Sequence, residues 1–351
     1  MTDATGEAAA MRAATVSLVY GFAFSQVAGT VARLGVPAAL GEQAEHVEKL
    51  AAATGTHAPS LLRLLRAAAG LGVLTEHPGD RFALTALGAA LRDEPSLRAL
   101  LDLYGDRSVW AAYGALEDAV RTGRSGFEAA HGTGLFDVLE EDEALAGRFH
   151  GAMTGVTAAQ VPAIVRACDV AAGAHVVDVG GGDGTLLAAL LGARPGLRGT
   201  LVERPGALPA ARRTLAAAGV AEDRCAVVEG DFFASVPDGG DAYLLKNILH
   251  NWSDADCVRL LRTCGRAAAA RGGRVLVPTL VLPDGDAPGG REEAALMALS
   301  DVEMMVLTSG RERTRAEYDA LFAAADLEPG ASVPLEGLPG HHLLTAWPRP
   351  S

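Results

Sequence analysis

"HVVDVGGGDGTLLAALL" runs from His175 to Leu191. Its opening residues, His175–Val179, form an apolar run rich in β-branched valine, which reads as a strand. Its closing residues, Thr185–Leu191, are Leu and Ala after a single Thr and read as a helix. Between them "DVGGGDG", Asp178–Gly184, supplies glycines that let the backbone turn tightly and approach a ligand. Strand, glycine turn and helix in that order open a doubly wound α/β unit. The spacing is not that of the dinucleotide fingerprint: counted from Gly180, the place of its third glycine falls on Thr185, and the loop reads Gly-x-Gly-x-Gly. Asp178 and Asp183 bracket the loop. Two carboxylates there repel a pyrophosphate and favour a ligand that carries an ammonium and a sulfonium. S-adenosyl-L-methionine is such a ligand.

The same alternation continues downstream. Gly199–Glu203 predicts a second strand, Leu208–Ala218 a helix, Cys225–Val228 a third strand, Asp241–Leu245 a fourth and Arg274–Leu282 a fifth. His342–Trp347 suits the antiparallel last strand of a hairpin. This order implies an α/β fold with a Rossmann-like, mainly parallel sheet. Ligands of such sheets bind beyond the carboxyl ends of the strands. Residues at those ends are therefore the candidate contacts: Asp178, Gly180 and Gly182 in the first turn, and Glu203 for ribose hydroxyls. Asp231 suits an adenine amino group, Phe232 stacking on the ring, and Lys246 lies past the fourth strand.

Four residues after Lys246, in "KNILHNWSD" (Lys246–Asp254), stands His250. Ser253-x-x-Asp256 resembles a capping box, which places a helix start just after Trp252. Cys257, Leu260, Leu261 and Cys264 give that helix one apolar face. His250 thus falls at the carboxyl end of the fourth strand, on the ligand side. A lone histidine in a turn is commonly structural; this position favours a catalytic base.

The N-terminal part reads differently. Val47, Leu50 and Ala51 suit a helix ending at Gly55, and Leu61, Leu64, Leu65 and Ala68 suit a second. Val73–Thr75 and Arg81–Leu84 flank the turn Pro78-Gly79-Asp80, a hairpin signal. Two helices and a hairpin make a winged helix, expected over 1–98 as a dimerisation module. A DNA-binding winged helix is the alternative, but the second helix offers only Arg63 and Arg66 for phosphates. Residues 99–165 are expected to be connecting helices that line a substrate pocket, and 166–351 the catalytic domain. The apolar stretch Val16–Val36 contains Ser17, Gln26 and Arg33, which suits a buried helix better than a membrane span.

The 351 residues suit two domains, and a net charge of -13 argues against general nucleic-acid binding. Four cysteines form no C-x-x-C pair, so neither a zinc ribbon nor a redox motif is indicated. No acid cluster matches a magnesium site, and no metal is expected. The segment Met1–Ala10 carries acids and no basic stretch, so a cytoplasmic setting is expected.

"DVGGGDG", "GDFF" (Gly230–Phe233), "LLKNILHNWSD" (Leu244–Asp254) and "GRERT" (Gly310–Thr314), in this order behind a winged helix, resemble the O-methyltransferases typified by plant caffeic-acid enzymes. They resemble still more the bacterial branch that tailors polyketides and other aromatic natural products. The resemblance implies transfer of a methyl group from S-adenosyl-L-methionine to a phenolic or enolic hydroxyl, with S-adenosyl-L-homocysteine as the other product. It implies His250 as general base and Glu312 as the carboxylate that orients it. Gly180, Glu203, Asp231, Phe232 and Lys246 become cofactor contacts, and "FHGAMTGVT" places Thr157 near the cofactor carboxylate. Phe149, Met153 and Met304 would face the acceptor, with Trp110 and Asn251 as further candidate lining. It implies a homodimer through the N-terminal domain. Two positions depart from the plant pattern. Asn251 replaces the aspartate that follows the histidine, and Thr279 stands where a second glutamate supports the base. Some bacterial relatives of this kind bind the cofactor yet hydroxylate or decarboxylate, which is the alternative chemistry.

Overall fold

His175–Val179 forms a strand in the middle of the larger sheet of the computed structural model, which describes residues 4–285 and 290–350. Valines suit it because both faces of a central parallel strand are covered, and Val176, Val177 and Val179 are all buried. Among the described residues the sheet order is 327–334, 341–348, 274–282, 242–244, 175–179, 198–203, 225–229. The five strands from 225–229 to 274–282 are parallel, and the last two run antiparallel as a hairpin. The fold class is the expected Rossmann-like α/β arrangement behind a mainly helical N-terminal part. The chain order reverses at 175–179, flanked by 242–244 and 198–203, so the switch point lies at the glycine turn.

The helices follow from local chemistry. Thr185–Ala193 is Leu- and Ala-rich, and Leu186, Leu187, Ala188, Leu190 and Leu191 are buried. Asp254–Ala269 is amphipathic: Cys257, Leu260, Leu261 and Cys264 face the core, and Ser253 Oγ caps the Asp256 N–H at 3.2 Å. Thr314 and Glu317 form a reciprocal capping box at the start of Arg315–Ala324.

By its contacts the chain divides into two compact units, 1–110 with 147–155, and 111–146 with 156–351. The first unit contains the winged helix. Val47–Thr54 ends at Gly55, Ala58–Gly70 follows, and Leu74–His77 pairs with Arg81–Leu84, to which Glu45–His46 adds a third strand. Val31, Val36, Leu50, Leu65 and Phe82 form its core. Arg66 on the second of these helices is tied to Glu76 and Asp80, at 2.9 and 2.8 Å.

One expectation is corrected here. The apolar stretch from Val16 is helical, within Ala4–Arg33, but its first half is not buried. Leu18 is 83% exposed, and Val19, Tyr20 and Phe22 are also exposed. Burial begins only near Val27 and Val31, where the helix joins the winged-helix core. A helix apolar all round predicts burial without saying against what. Ala10–Arg33 is also, among the described residues, long and apolar enough to cross a membrane.

Candidate active site

The glycine turn is shaped by its φ angles: Gly180, Gly182 and Gly184 sit at 70°, 57° and 77°. These are left-handed values that a side chain disfavours. At Gly180 a second constraint applies, because a Cβ there would lie 2.6 Å from Ile248 Cδ1 and 3.4 Å from Phe232 Cε1. Backbone, Ile248 and Phe232 thus share a space that a side chain would fill. Below the turn, Asp178 is 2% exposed, and its Oδ2 has no hydrogen-bond partner among the described residues. Burial pushes its carboxyl up to about 7, against the pull of the Lys246 ammonium. Burial likewise pushes Lys246 down to about 8, against the pull of Asp178 and Asp183. Lys246 Nζ donates to Thr157 Oγ1 at 2.6 Å.

Glu203, at the end of its strand, accepts from the Gly182 N–H at 3.0 Å and from the Arg204 N–H at 2.8 Å. It therefore braces the glycine turn and keeps lone pairs for a ligand. Asp231 accepts from the Phe233 N–H at 2.9 Å and is exposed. Phe232 lies edge-on to Phe233 and Trp252. The structure brings Thr157, Asp178, Gly180, Gly182, Glu203, Phe232 and Lys246 together at the carboxyl end of the sheet, with Asp231 beyond the neighbouring strand.

His250 lies in a short 3-10 turn, Leu249–Asn251, between strand and helix. Its Nδ1 is 3.0 Å from Glu312 Oε1. A carboxylate only accepts, so the ring proton on this side sits on Nδ1. In the neutral imidazole the lone pair is then on Nε2, to which no described residue donates. The imidazole is 15% exposed and the Glu312 side chain 1%. Burial opposes charge on Glu312, but the His250 hydrogen bond and the Ser300 hydroxyl outweigh it, and its carboxyl is held below the usual glutamate value. Ser300 Oγ donates to the same Oε1 at 3.0 Å, and the Glu312 N–H donates to Asp301 at 2.8 Å.

"GRERT" is the reason these groups meet. A Cβ at Gly310 would overlap the His250 carbonyl oxygen, so only glycine lets the segment approach this closely. Arg311 bridges Asp254 and Glu317. Arg313 is fully buried and pairs through its backbone with Val281. Sequence reasoning missed Ser300, Ile248 and Arg313. Arg313 and Ile248 carried a signal, their places in the motifs beside Glu312 and His250.

Thr279, where the plant pattern has a glutamate, is buried, with its hydroxyl 3.0 Å from that of Tyr318. Asn251 Nδ2 donates to the Asn247 carbonyl at 3.1 Å, which ties its amide to the turn. Asn247 itself takes φ 53°.

The family described as O-methyltransferase domain matches residues 113–328, and the O-methyltransferase dimerisation domain matches 16–93. The chain belongs to the O-methyltransferase family. Among its relatives in this O-methyltransferase family, the mitomycin biosynthesis 6-O-methyltransferase of Streptomyces lavendulae is 38% identical over 304 residues, 86% of this chain and 84% of that one. The aclacinomycin 10-hydroxylase RdmB of Streptomyces purpurascens is 40% identical over 289 residues, 81% and 76% of the two chains. Among solved structures, NcsB1 from neocarzinostatin biosynthesis, in complex with S-adenosyl-L-homocysteine and 1,4-dihydroxy-2-naphthoic acid, superposes with a TM-score of 0.80. It is 32% identical and covers 93% of this chain and 96% of its own.

The remaining candidates of this O-methyltransferase fall in two places. Met304 is buried in the helix Gly290–Leu307, which also carries Ser300. Trp110, Phe149 and Met153 belong to the first compact unit, where each is half-buried. Among the described residues no group of three or more acids, histidines or cysteines has metal-site geometry.

Proposed function

We propose that the protein methylates a phenolic or enolic hydroxyl of an aromatic secondary metabolite, with His250 as general base and Glu312 as the carboxylate that orients it. The observation that carries this reading is the 3.0 Å contact between His250 Nδ1 and a buried Glu312, which leaves Nε2 as the accepting nitrogen. A phenol has a pKa of about 10 and is protonated at neutral pH, so its proton must be removed as the new bond forms. A neutral imidazole can take it, and the carboxylate behind the ring stabilises the imidazolium that results. When bound, S-adenosyl-L-methionine supplies a methyl group already activated by its positive sulfur.

The cofactor reading is supported by the residues present. The unpartnered Asp178 Oδ2 suits an ammonium, and Gly180, at φ 70° and with Ile248 packed against it, keeps the backbone of the turn free of a side chain. Thr157, Gly182, Glu203, Asp231 and Lys246 complete the proposed set. Trp110, Phe149, Met153, Asn251 and Met304 are the proposed acceptor contacts. No metal is required, because His250 takes the proton and Glu312 stabilises the imidazolium. The reading includes a cytoplasmic homodimer formed through the N-terminal helices. The homodimer is supported by the dimerisation-domain match over 16–93 and by the exposed apolar residues from Leu18 to Phe22, which a second copy would cover.

A second chemistry, hydroxylation or decarboxylation with the cofactor in a structural role, is favoured by one observation: a relative at 40% identity is named a hydroxylase. Incubation of the protein with methyl-labelled cofactor and a panel of hydroxynaphthoates and anthracyclines separates the two. Label in the product is the expected result. An unlabelled, hydroxylated or decarboxylated product would establish the second chemistry instead.

A further inference from the structure

We infer that Arg313 is a positioning residue for the proposed reaction: it fixes the backbone of the turn that carries His250. This rests on the reading of His250 as the base. A guanidinium has five N–H donors in a rigid fork, and here each has an acceptor. Nε and Nη2 donate to Asp254 Oδ1, at 3.0 and 2.7 Å. Nη2 also reaches the Trp252 carbonyl at 2.9 Å. Nη1 reaches the Leu249 carbonyl at 3.1 Å and that of Arg311 at 3.2 Å. Leu249 opens the 3-10 turn, Trp252 closes it, and Asp254 begins the next helix. One side chain thus spans the turn from end to end, with His250 between its anchor points.

The anchor itself is rigid. Arg313 is fully buried, and its backbone pairs with Val281 on the long Arg274–Leu282 strand. Its neighbour Glu312 holds the ring. Consecutive residues therefore fix the two things a base needs: Arg313 sets where the backbone of His250 lies, and Glu312 sets how the imidazole turns. The Cys257 thiol touches the same two carbonyls, at 3.1 Å for Leu249 and 3.6 Å for Trp252, but offers a single weak donor. Asp254 is half exposed, so the cluster is open to water on one side. A lysine would keep the charge but not the fork, and could not hold both carbonyls and the carboxylate at once.

The test uses the full-length protein and three single variants, Arg313→Lys, Asp254→Asn and His250→Ala, with the Arg313→Lys/His250→Ala double. Asp254→Asn loosens the same clamp from its exposed side, and carries the test if Arg313→Lys does not fold. Each variant is assayed for kcat, KM for the cofactor, the pH profile of kcat, and amide hydrogen exchange at Asn251 and Trp252. Misplacement of a reacting group by about 1 Å can cost up to about 10²-fold in rate. The expected result is a fall in kcat of about tenfold or more, with the cofactor KM unchanged within about threefold. The acid limb of the pH profile moves, amide exchange in the turn quickens, and the double variant is no slower than His250→Ala alone. Wild-type kcat and pH profile in the clamp variants, with His250→Ala inactive, overturn the positioning role and leave the base reading standing. So does a further loss in the double variant, or a rise in cofactor KM that matches the fall in kcat. Undiminished kcat in His250→Ala overturns the base reading, and the positioning role with it.

Discussion

Thr279 Oγ1 and Tyr318 Oη lie 3.0 Å apart, both shut off from solvent, at the place where the plant pattern has a second carboxylate. Burial pushes the Tyr318 hydroxyl up, so it stays neutral, and one of the two hydroxyls donates to the other. The position is thus a neutral structural pair. Tyr318→Phe should leave the Thr279 hydroxyl buried without its partner and cost about 1–3 kcal/mol of stability. It should leave the pH profile of methyl transfer where it was. Urea unfolding and a pH–rate series check both halves, and a shifted profile would mean that the pair does act on the base.

With Thr279 engaged elsewhere, the proposed orientation of His250 rests on Glu312, 3.0 Å from its Nδ1. Glu312→Gln keeps the shape and can still accept from Nδ1, but loses the charge that stabilises the imidazolium. The expected loss in kcat is about 10²-fold, within the 10²–10⁴-fold that a general base supplies. Cofactor affinity by calorimetry should not change, because Glu312 bonds to His250, Ser300 and Asp301 and to nothing in the glycine turn. Retained kcat would remove Glu312 from the mechanism.

What could be read in the sequence follows from how local the chemistry is. The glycine turn was legible because its function lies in its own backbone. His250 was legible because a strand end and a capping box fix its position within a few residues. Glu312 lies 62 residues from His250, and only resemblance connected them. Arg313 was missed because a buried arginine and a surface arginine look alike in a sequence; its burial depends on carbonyls that the fold brings to it. Ser300 was missed for the same reason, as one hydroxyl in a helix of Ala, Leu and Met. The sequence around Val16 predicts a buried helix because apolar composition reports a need for cover and not its source.

That helix gives the third prediction. Leu18 and Phe22 lie one helical turn apart, on the same face, at 83% and 60% exposure. An apolar strip of this kind on a single chain is the surface that the proposed homodimer would cover. Replacing both with glutamate should convert a homodimer to a monomer in size-exclusion chromatography with light scattering, with circular dichroism unchanged. An unaltered mass would place the subunit contact elsewhere, and a wild-type monomer would end the proposal.

The fourth prediction concerns Asp178 and pH. In the free protein burial raises its carboxyl from the ordinary value near 3.8 to about 7. A raised carboxyl adds stability that is fully present below the unfolded value and is lost as pH rises through the folded one. Through this group alone, the free protein should therefore lose stability between about pH 4 and about pH 7. A cationic ligand beside Asp178 favours the carboxylate and reverses this, so cofactor binding below about pH 7 should expel a proton. Affinity should then rise with pH up to about 7 and level off. Calorimetry at pH 6 in buffers of different ionisation enthalpy should show proton release approaching one per site, and much less at pH 7.5, above the Asp178 value of about 7 and still below that of Lys246, about 8. Asp178→Asn should abolish the release and flatten the stability profile. Proton release that persists in Asp178→Asn would assign the effect to another group, and no release at pH 6 in the wild type would place the ligand's cation away from Asp178.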